Sequence, residues 1–430
     1  MTGLDRERAE TYLRLLAERA LRDPDRAATV NRVTHALVTA GVVDSLVGGT
    51  IVDELALALE TRQADPPAPR SAVRYRRWWP AGFPAEPPPA PLPRQFVPAG
   101  LTVPVTGGTM HLLAYARSGS GAVFAVVAHS TLAEPLDGLT ATDDTGASYE
   151  LIFSGSASAQ EWSGELALYP DPPAELRWLE IAGPGTPARR VDLTAEPAAA
   201  AVAAPVRASA GEYLLNVSAA HQLSVLCQFL PEERRALVPE SQEPSAKDSL
   251  AEITTALIAV GALSPDSTLP GQLAALRRAV DADEHDPAAT PGQELPEHWA
   301  SVLDSYQHPG PAVEQPDGCA AIAITLPELD GIVVSVLGLH SADGTSALHV
   351  YATGAPPWHL RGGIAPLPLV WLRDSDDRWH VTSASGGSDG DGELAMRLEV
   401  IPPLARPGWV EVVVNGRSAV VRATVPLRWG

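Results

Sequence analysis

The sequence contains little cysteine, and this scarcity limits what can hold the chain together. Of 430 residues, Cys227 and Cys319 are the only cysteines. Two cysteines are too few for a disulfide framework or for a structural zinc site built on cysteine ligands. A chain of this composition fits a reducing compartment.

Long apolar segments are also missing. No stretch of the sequence approaches the run of about 18 apolar residues that a membrane-spanning helix needs. The first residues carry the charges of Asp5, Arg6 and Glu7, where a secretory signal needs an apolar core. We therefore expect a cytoplasmic protein that is not inserted into a membrane.

Positive charge is scarce relative to negative charge, with 31 lysine and arginine residues against 52 aspartate and glutamate residues and a formal net charge of −21. Phosphate binding needs clustered cations, so this balance argues against a general nucleic-acid or anionic-membrane surface. Lys247, the only lysine, lacks the glycines of a phosphate-binding loop, and no dinucleotide-binding glycine motif follows a predicted strand. We therefore predict no cofactor. The preference for arginine over lysine suits a GC-rich bacterial genome.

The most informative feature that is present is an internal repeat. Short segments of the first half realign, always in the same order, on segments of the second half. The separation between matching residues grows from 220 to 231 along the chain, as expected if loops were inserted into a duplicated unit. The matches include residues 36–43 on 256–263, 164–167 on 392–395, and 178–181 on 409–412.

Periodicity assigns a structural class to each part of the repeat. Leu13, Leu16 and Ala20 follow helical spacing and predict a helix over 4–22, with two more over 25–41 and 45–62. Short alternating runs separated by turns predict immunoglobulin-like antiparallel β-sandwiches, and proline-rich stretches predict linkers. The predicted organisation is helical module A (1–64), linker (65–94), β-sandwich A (95–194), Ala/Pro-rich linker (195–218), helical module B (219–308) and β-sandwich B (319–430). Residues 213–217 fit a strand as an alternative.

One strand of each sandwich carries a tryptophan on the face opposite its apolar residues. Leu179 and Ile181 supply a core face, which leaves Trp178 on the other side, and Trp409 occupies the same place in the second copy. We expect both tryptophans to be buried under a neighbouring layer. The alternative is a strand phase that differs by one residue, with tryptophan in the core.

Two patterns in the second sandwich suggest chemistry at first sight. Residues 386–390 match the Gly-x-Ser-x-Gly nucleophile motif, but strand periodicity follows where the motif requires a helix, so a hairpin loop is expected. A group of acidic residues could form one calcium-binding cluster, although their spacing fits no EF-hand loop and solvated turns are the preferred interpretation. These residues are Asp374, Asp376, Asp377, Asp389, Asp391 and Glu393, with Asp143 and Asp144 at the matching hairpin of the first copy.

Histidines recur in both sandwiches. Clustered histidines can ligate a metal or act as bases, but no short His-x-x-x-His spacing is present, so we expect scattered packing or surface histidines. They are His111 and His129 in the first sandwich and His340, His349, His359 and His380 in the second. No metal site is predicted.

The densest chemical signal is a basic and aromatic segment in the first linker. Arginine, tryptophan and tyrosine dominate interface hot spots, because they bury large areas and pair bidentately. The segment binds a protein partner, or it latches onto its own sandwich; nucleic acid or anionic lipid is a third interpretation. Its residues are Arg74, Tyr75, Arg76, Arg77, Trp78 and Trp79, preceded by Arg70.

The sequence therefore predicts an α+β multidomain protein built by duplication of a helical module followed by a β-sandwich. The expected function is that of a non-enzymatic cytoplasmic adaptor or scaffold that binds a protein partner through the duplicated modules. One alternative is an enzyme, hydrolase-like, whose site lies between the copies and uses dispersed Asp and His residues. Another is small-ligand or glycan binding on the sandwich loops, based on Trp358, Trp371 and Trp379. The oligomeric state is left open.

Overall fold

The computed structural model describes most of the chain. The described residues are 3–22, 27–39, 42–63, 94–118, 121–131, 136, 138–157, 161–173, 175–197, 199–228, 258, 263–264, 266–281, 294–307, 318–342, 344–354, 368–390 and 393–430. Within them the protein combines helices with two antiparallel β-sheets. No helix in these ranges is long and apolar enough to cross a membrane.

The chain begins with three helices that pack on one another: α1 (Gly3–Arg22), α2 (Ala27–Thr39) and α3 (Ser45–Gln63). The three helices predicted in this region are present, with ends that differ by at most two residues. The spacing of Leu13, Leu16 and Ala20 places them on one buried stripe of α1. Val33 and Leu37 of α2 and Ile51 of α3 complete this small core.

Sheet A follows as eight antiparallel strands in the order β1-β2-β3-β6-β5-β4-β7-β8. The sheet curls around its own apolar core, so that β8 approaches β1. Its strands are β1 (Gln95–Val105), β2 (Gly108–Ser118), β3 (Gly121–Ser130), β4 (Thr140–Asp143), β5 (Ser148–Ala157), β6 (Glu161–Tyr169), β7 (Trp178–Ala182) and β8 (Arg189–Asp192).

Sheet B contains ten strands and a separate apolar core. Its main order is β11-β12-β13-β16-β15-β14-β17-β18, and two short strands, β9 (Ala201–Val202) and β10 (Val206–Arg207), pair with β18. The other strands are β11 (Gly318–Thr325), β12 (Val333–Ala342), β13 (Thr345–Thr353), β14 (Leu369–Asp374), β15 (Trp379–Gly390), β16 (Glu393–Ile401), β17 (Trp409–Asn415) and β18 (Ala419–Pro426).

The two sheets share one strand order, which confirms the order predicted from the repeated landmarks. Trp178 and Trp409 each begin the seventh strand of their sheet. The pairing registers also agree. In sheet A, Ala141 lies opposite Tyr149 on one side and Ile181 on the other, and in sheet B Leu372 lies in the same way opposite His380 and Val412.

Three further helices cover one face of sheet B: α4 (Ala210–Gln228), α5 (Leu269–Asp281) and α6 (Glu297–Gln307). Residues 213–217, for which a strand was the alternative prediction, lie inside α4. This helix begins where Ser209 and Glu212 form reciprocal hydrogen bonds, Ser209 N to Glu212 Oε2 at 2.8 Å and Glu212 N to Ser209 Oγ at 3.1 Å. Such a capping box stabilises a helix start.

Sheet B is covered by helices because its outer face is apolar. Trp371, Trp379 and Val381 lie on that face and pack against Leu223 of α4 and Trp299 of α6. The same register positions on sheet A carry Thr140, Ser148 and Glu150, all exposed. Burying those polar groups under a helical layer would cost free energy.

Helices α1–α3 therefore do not repeat the arrangement of α4–α6. Leu214 of α4 and Leu263 also pack against the core of α1–α3. These contacts connect the two groups of helices.

The two repeated tryptophans correct one expectation. Their strand phase is as predicted, because Leu179, Ile181, Val410 and Val412 are fully buried. However, Trp178 and Trp409 are half-buried instead of covered by a further layer. The Arg190 guanidinium lies 4.2 Å from the centre of the Trp178 ring and shields that indole in place of a helix.

This difference predicts unequal costs for two tryptophan substitutions. Trp371→Ala removes a side chain that is 1% exposed and should lower the free energy of unfolding by about 3–5 kcal/mol. Trp178→Ala removes a half-exposed ring and should cost about 1 kcal/mol or less. Urea unfolding followed by circular dichroism measures both, and equal losses would contradict the assigned layers.

Candidate functional site

The two sheets meet through the outer faces of β1, β2, β3 and β6 on one side and β11, β12, β13 and β16 on the other; we call this contact the join. Small side chains let the backbones approach closely: a Cβ atom on Gly338 would lie 3.2 Å from Leu113 Cδ2. The buried apolar residues of the join are Phe96, Leu113, Ala114, Ala116, Ala125, Val127, Cys319, Ala323, Leu337 and Tyr351.

Arg94 bridges the two sheets at one place in the join. Its Nη1 donates to Glu165 Oε1 on β6 at 2.7 Å, and its Nη2 donates to Glu393 Oε2 on β16 at 2.6 Å. The guanidinium carbon also lies 4.7 Å from the centre of the Tyr351 ring. Only 8% of the Arg94 side chain is exposed, so this bridge is shielded from solvent.

The two glutamates that bind Arg94 are counterparts in the repeat. Each is the second residue of a Gly-Glu-Leu-Ala segment, so one arginine joins the same position of both sheets. Burial acts to lower the pKa of Arg94, but Glu165, Tyr351 and Glu393 together raise it above its ordinary value. The guanidinium therefore remains charged, and a pair of carboxylates surrounds a single cation.

A second ion pair crosses the join next to this bridge. Arg397 of β16 binds Glu161 of β6 through both its Nε and its Nη2, and Nη2 lies 3.0 Å from Glu161 Oε2. Arg397 is directly opposite His349 on β13, and Glu161 is directly opposite His129 on β3. Strand pairing in each sheet thus places one charged residue and one histidine side by side at the join.

Four of the six histidines predicted to be scattered are instead gathered at the join, whereas His380 lies at the β14–β15 turn with its Nε2 3.3 Å from Asp374 Oδ2. Nε2 of His129 lies 3.1 Å from Nε2 of His340, and the two rings are stacked with centres 4.6 Å apart. The His111 ring centre lies 5.2 Å from that of His340, and the His349 ring centre lies 6.4 Å from it. We call these four residues the histidine cluster. His359 lies outside the described residues.

Two histidines of the cluster, His340 and His349, are neutral at physiological pH. Burial lowers the pKa of His349 to about 3, with Arg397 and His129 acting in the same direction. Burial, together with its histidine neighbours and Arg397, also lowers the pKa of His340 far below its ordinary value of 6.5. Thr102 Oγ1 lies 3.1 Å from His111 Nδ1 and orients that ring.

The space between the sheets is small. A cavity of about 30 Å³ is lined by Ser163, Glu165, His349 and Arg397 together with apolar side chains, and this volume holds about one or two water molecules. Nε2 of His349 has no hydrogen-bond partner. Among the described residues, no group of three His, Cys, Asp or Glu side chains is arranged to hold a metal ion.

The acidic residues of sheet B do not form the cluster that the sequence suggested. Asp374 is buried and caps the β14–β15 turn by accepting from the backbone N–H groups of Asp376 and Arg378 at 2.9 and 3.0 Å. Asp376 and Asp377 are exposed, and Glu393 lies at the opposite end of β16, bound to Arg94. The side chains of Asp389 and Asp391 lie outside the described residues.

The same cap occurs in sheet A. Asp143 Oδ1 accepts from the N–H groups of Thr145 and Ala147, and Oδ2 accepts from the Tyr149 hydroxyl at 2.6 Å. Burial alone would raise the pKa of Asp143, but hydrogen bonds from Tyr149, Thr145 and Ala147 lower it to about 2. The buried aspartates are therefore turn caps. Both aspartates were noted from the sequence, but this role was missed, although their position directly before the turn could have indicated it.

The serine motif at 386–390 is not a nucleophile elbow, because residues 386–390 belong to strand β15 and pair with β16.

Another polar contact was not predicted from the sequence. Asn216 Oδ1 lies 2.7 Å from His298 Nε2 and accepts from Trp299 Nε1 at 3.1 Å beneath α6. Burial lowers the pKa of His298 to about 4. This contact holds α6 to α4.

The predicted partner-binding residues Arg74, Tyr75, Arg76, Arg77, Trp78 and Trp79 lie outside the described residues, as does Trp358. Trp371 and Trp379 are 1% and 5% exposed beneath the helices.

The bridge at Arg94 predicts a large effect for one substitution. Arg94→Met leaves the partly buried Glu165 and Glu393 without their cation, and should lower the free energy of unfolding by about 2–4 kcal/mol. Arg14→Met is the matched control, because Arg14 lies 3.7 Å from Glu54 in an exposed pair and should lose about 1 kcal/mol or less. Denaturant titration at pH 7 compares the two, and similar losses would show that the bridge contributes little.

The chain was also compared with known proteins. No protein-family model matches it, no curated protein matches it, and no solved structure matches it. The interpretation of the join therefore depends on its own geometry: a closed contact between two sheets of the same strand order, stabilised by ion pairs and containing the histidine cluster.

Proposed function

We propose that the protein is a non-enzymatic adaptor or scaffold that binds a protein partner. The observation that supports this proposal is that the charged residues between the sheets form ion pairs with one another. Arg94 binds Glu165 and Glu393, and Arg397 binds Glu161. The cavity that Glu165 and Arg397 border, about 30 Å³, has room for water and not for a substrate.

An enzyme with its site between the two copies is the second candidate. It is favoured by the histidine cluster, which does lie between the two sheets. A hydrolytic site also needs a nucleophile or an activated water beside the base and a pocket for the substrate. Cys319 lies directly opposite His340, but burial raises the pKa of its thiol to about 11, and the described part of the join offers no pocket for a substrate, so the scaffold remains the preferred proposal.

Small-ligand or glycan binding receives less support. That alternative depended on Trp358, Trp371 and Trp379. Trp371 and Trp379 are buried between sheet B and helices α4–α6, so their rings are not accessible to a ligand. Trp358 alone would carry this function.

We further propose that the chain arose by duplication of a whole helix-plus-sheet unit with an immunoglobulin-like ancestry for the sheets. The common strand order and the matching registers support the duplication of the sheets. The sequence matches between 36–43 and 256–263 support that of the helices. Two related units linked in one chain would present two related surfaces to a partner.

The partner-binding residues under this proposal are Arg74, Tyr75, Arg76, Arg77, Trp78 and Trp79. They precede Arg94 in the chain by 15 to 20 residues. The proposed site is cytoplasmic, consistent with the low cysteine content. The net charge of −21 favours a protein partner over nucleic acid.

A charge-reversal experiment tests the proposed site. The variant Arg74→Glu, Arg76→Glu, Arg77→Glu should lose a partner that the unaltered protein retains from host-cell extract, without a change in melting temperature. Binding to the purified partner should weaken by about tenfold or more, a loss of about 1.4 kcal/mol. The matched control is Arg189→Glu, Arg207→Glu, Arg428→Glu, which changes the net charge equally at exposed positions.

Two outcomes would count against the site. If the segment variant and the control bind the partner equally, the segment is not the binding surface. If the melting temperature of the segment variant falls by several degrees and that of the control does not, the segment acts as an internal latch.

A further inference from the structure

Packing two sheets against each other does not require a group of buried histidines. Four imidazoles, His111 on β2, His129 on β3, His340 on β12 and His349 on β13, meet where the two sheets touch. We propose that this cluster makes the join sensitive to pH, so that the two sheets are held together at neutral pH and separate on mild acidification while each keeps its own fold.

The contact between His129 and His340 requires that only one of the two facing Nε2 nitrogens carries a proton. Nε2 of His129 and Nε2 of His340 lie 3.1 Å apart, a distance at which one nitrogen donates and the other accepts. If both Nε2 atoms carried a proton, the hydrogen bond would be lost and two cations would face each other. The contact therefore requires at least one neutral Nε2 nitrogen.

The charged groups facing the cluster do not compensate an added proton. Arg397 of β16 lies directly opposite His349, and it adds positive charge. Glu161 of β6 lies directly opposite His129, but both of its oxygens already bind Arg397. Thr102 on β1 and Cys319 on β11, which is directly opposite His340, are uncharged neighbours. Among the described residues, an imidazolium at His340 or His349 would thus be buried beside positive charge and histidine neighbours.

The direction of the pH effect follows from linkage. Burial lowers the pKa of His349 to about 3 and also lowers the pKa of His340 from 6.5 in the joined sheets. In separated sheets both rings are hydrated, and their pKa values return to about 6.5. The separated state therefore binds more protons below pH 6.5. Stability of the join is complete above this pH and declines as the pH falls toward about 3.

Carboxylates do not account for an effect in this range. Burial raises the pKa of Glu165 in the joined state, so its protonation favours the join. The pKa of Asp143 is lowered to about 2, so its stabilising contribution is lost only as the pH falls below 3.8. Between pH 6.5 and 5.5 the histidines are the groups that change charge.

Each sheet is able to remain folded when the join opens. Sheet A and sheet B have separate cores, of which Leu166 and Leu398 are members, and neither core includes residues of the other sheet. The join has ten buried apolar residues, four of them alanine, whereas the cores of sheets A and B have 21 and 25. Separation would therefore expose less apolar surface than unfolding of either sheet.

Cys319 provides a natural probe of separation. Its thiol is 2% exposed within the join, directly opposite His340. In a Cys227→Ser background it is the only thiol, and 4,4′-dithiodipyridine reports its exposure under acidic conditions. The labelling rate, divided by that of glutathione at the same pH and measured with EDTA present, should rise by about tenfold or more between pH 6.5 and 5.5, the effect of one proton per pH unit. Circular dichroism should stay constant.

Three variants make the test specific. His340→Gln, His349→Gln should remove most of the rise, because neither glutamine titrates. His349→Gln alone serves if the double variant fails to fold, since His349 Nε2 has no hydrogen-bond partner to lose, and it should reduce the rise. His298→Gln should keep the full rise, because His298 of α6 packs against Trp371 on a different part of the outer face of sheet B, away from the join.

Three results would overturn the proposal. The first is a labelling rate that does not change between pH 6.5 and 5.5. The second is an equal rise in the cluster variants and in the unaltered protein. The third is loss of the circular dichroism signal in step with labelling, which would mean global unfolding instead of separation at the join.

Discussion

The arrangement of this protein depends on one buried cation between two carboxylates. Arg94 donates to Glu165 in one sheet and to Glu393 in the other, residues 71 and 299 positions away in the chain. A buried guanidinium requires hydrogen-bonded anions to offset its desolvation, and here each sheet supplies one of them. The mutual orientation of the sheets is therefore tied to a single residue, and the Arg397–Glu161 pair and the histidines lie within the contact that it stabilises.

The outer faces of the sheets explain why two units of similar plan differ in their surroundings. Trp371, Trp379 and Val381 make one face of sheet B apolar, and helices α4–α6 cover it. Thr140, Ser148 and Glu150 hold the same register positions in sheet A, and that face meets solvent. Helices α1–α3 instead contact Leu214 and Leu263. The two sheets thus share one strand order, but a few side-chain differences on this face determine whether a layer of helices packs against it.

Part of this structure could be predicted from the sequence because its signals are local or repeated. Helical spacing located α1–α3, and the order of the repeated segments predicted the common strand order. The start of α4 was missed because proline and alanine around it outweighed the Ser209–Glu212 capping box. Arg94 was assigned to the end of a linker, since nothing near it in sequence identifies partners so distant. The histidine cluster and the burial of Trp371 escaped for the same reason: both depend on which faces meet in space.

The most direct test of this account measures the distance between the two sheets. Spin labels at Asp144→Cys and Asp376→Cys, exposed turn positions on sheets A and B, would be placed in a Cys227→Ser, Cys319→Ala background and examined by pulsed electron resonance at pH 7.5. The account predicts a single narrow distance distribution that becomes broad when Arg94→Met is added. A broad distribution with Arg94 present, or a narrow one that Arg94→Met leaves unchanged, would contradict the role of Arg94 in joining the sheets.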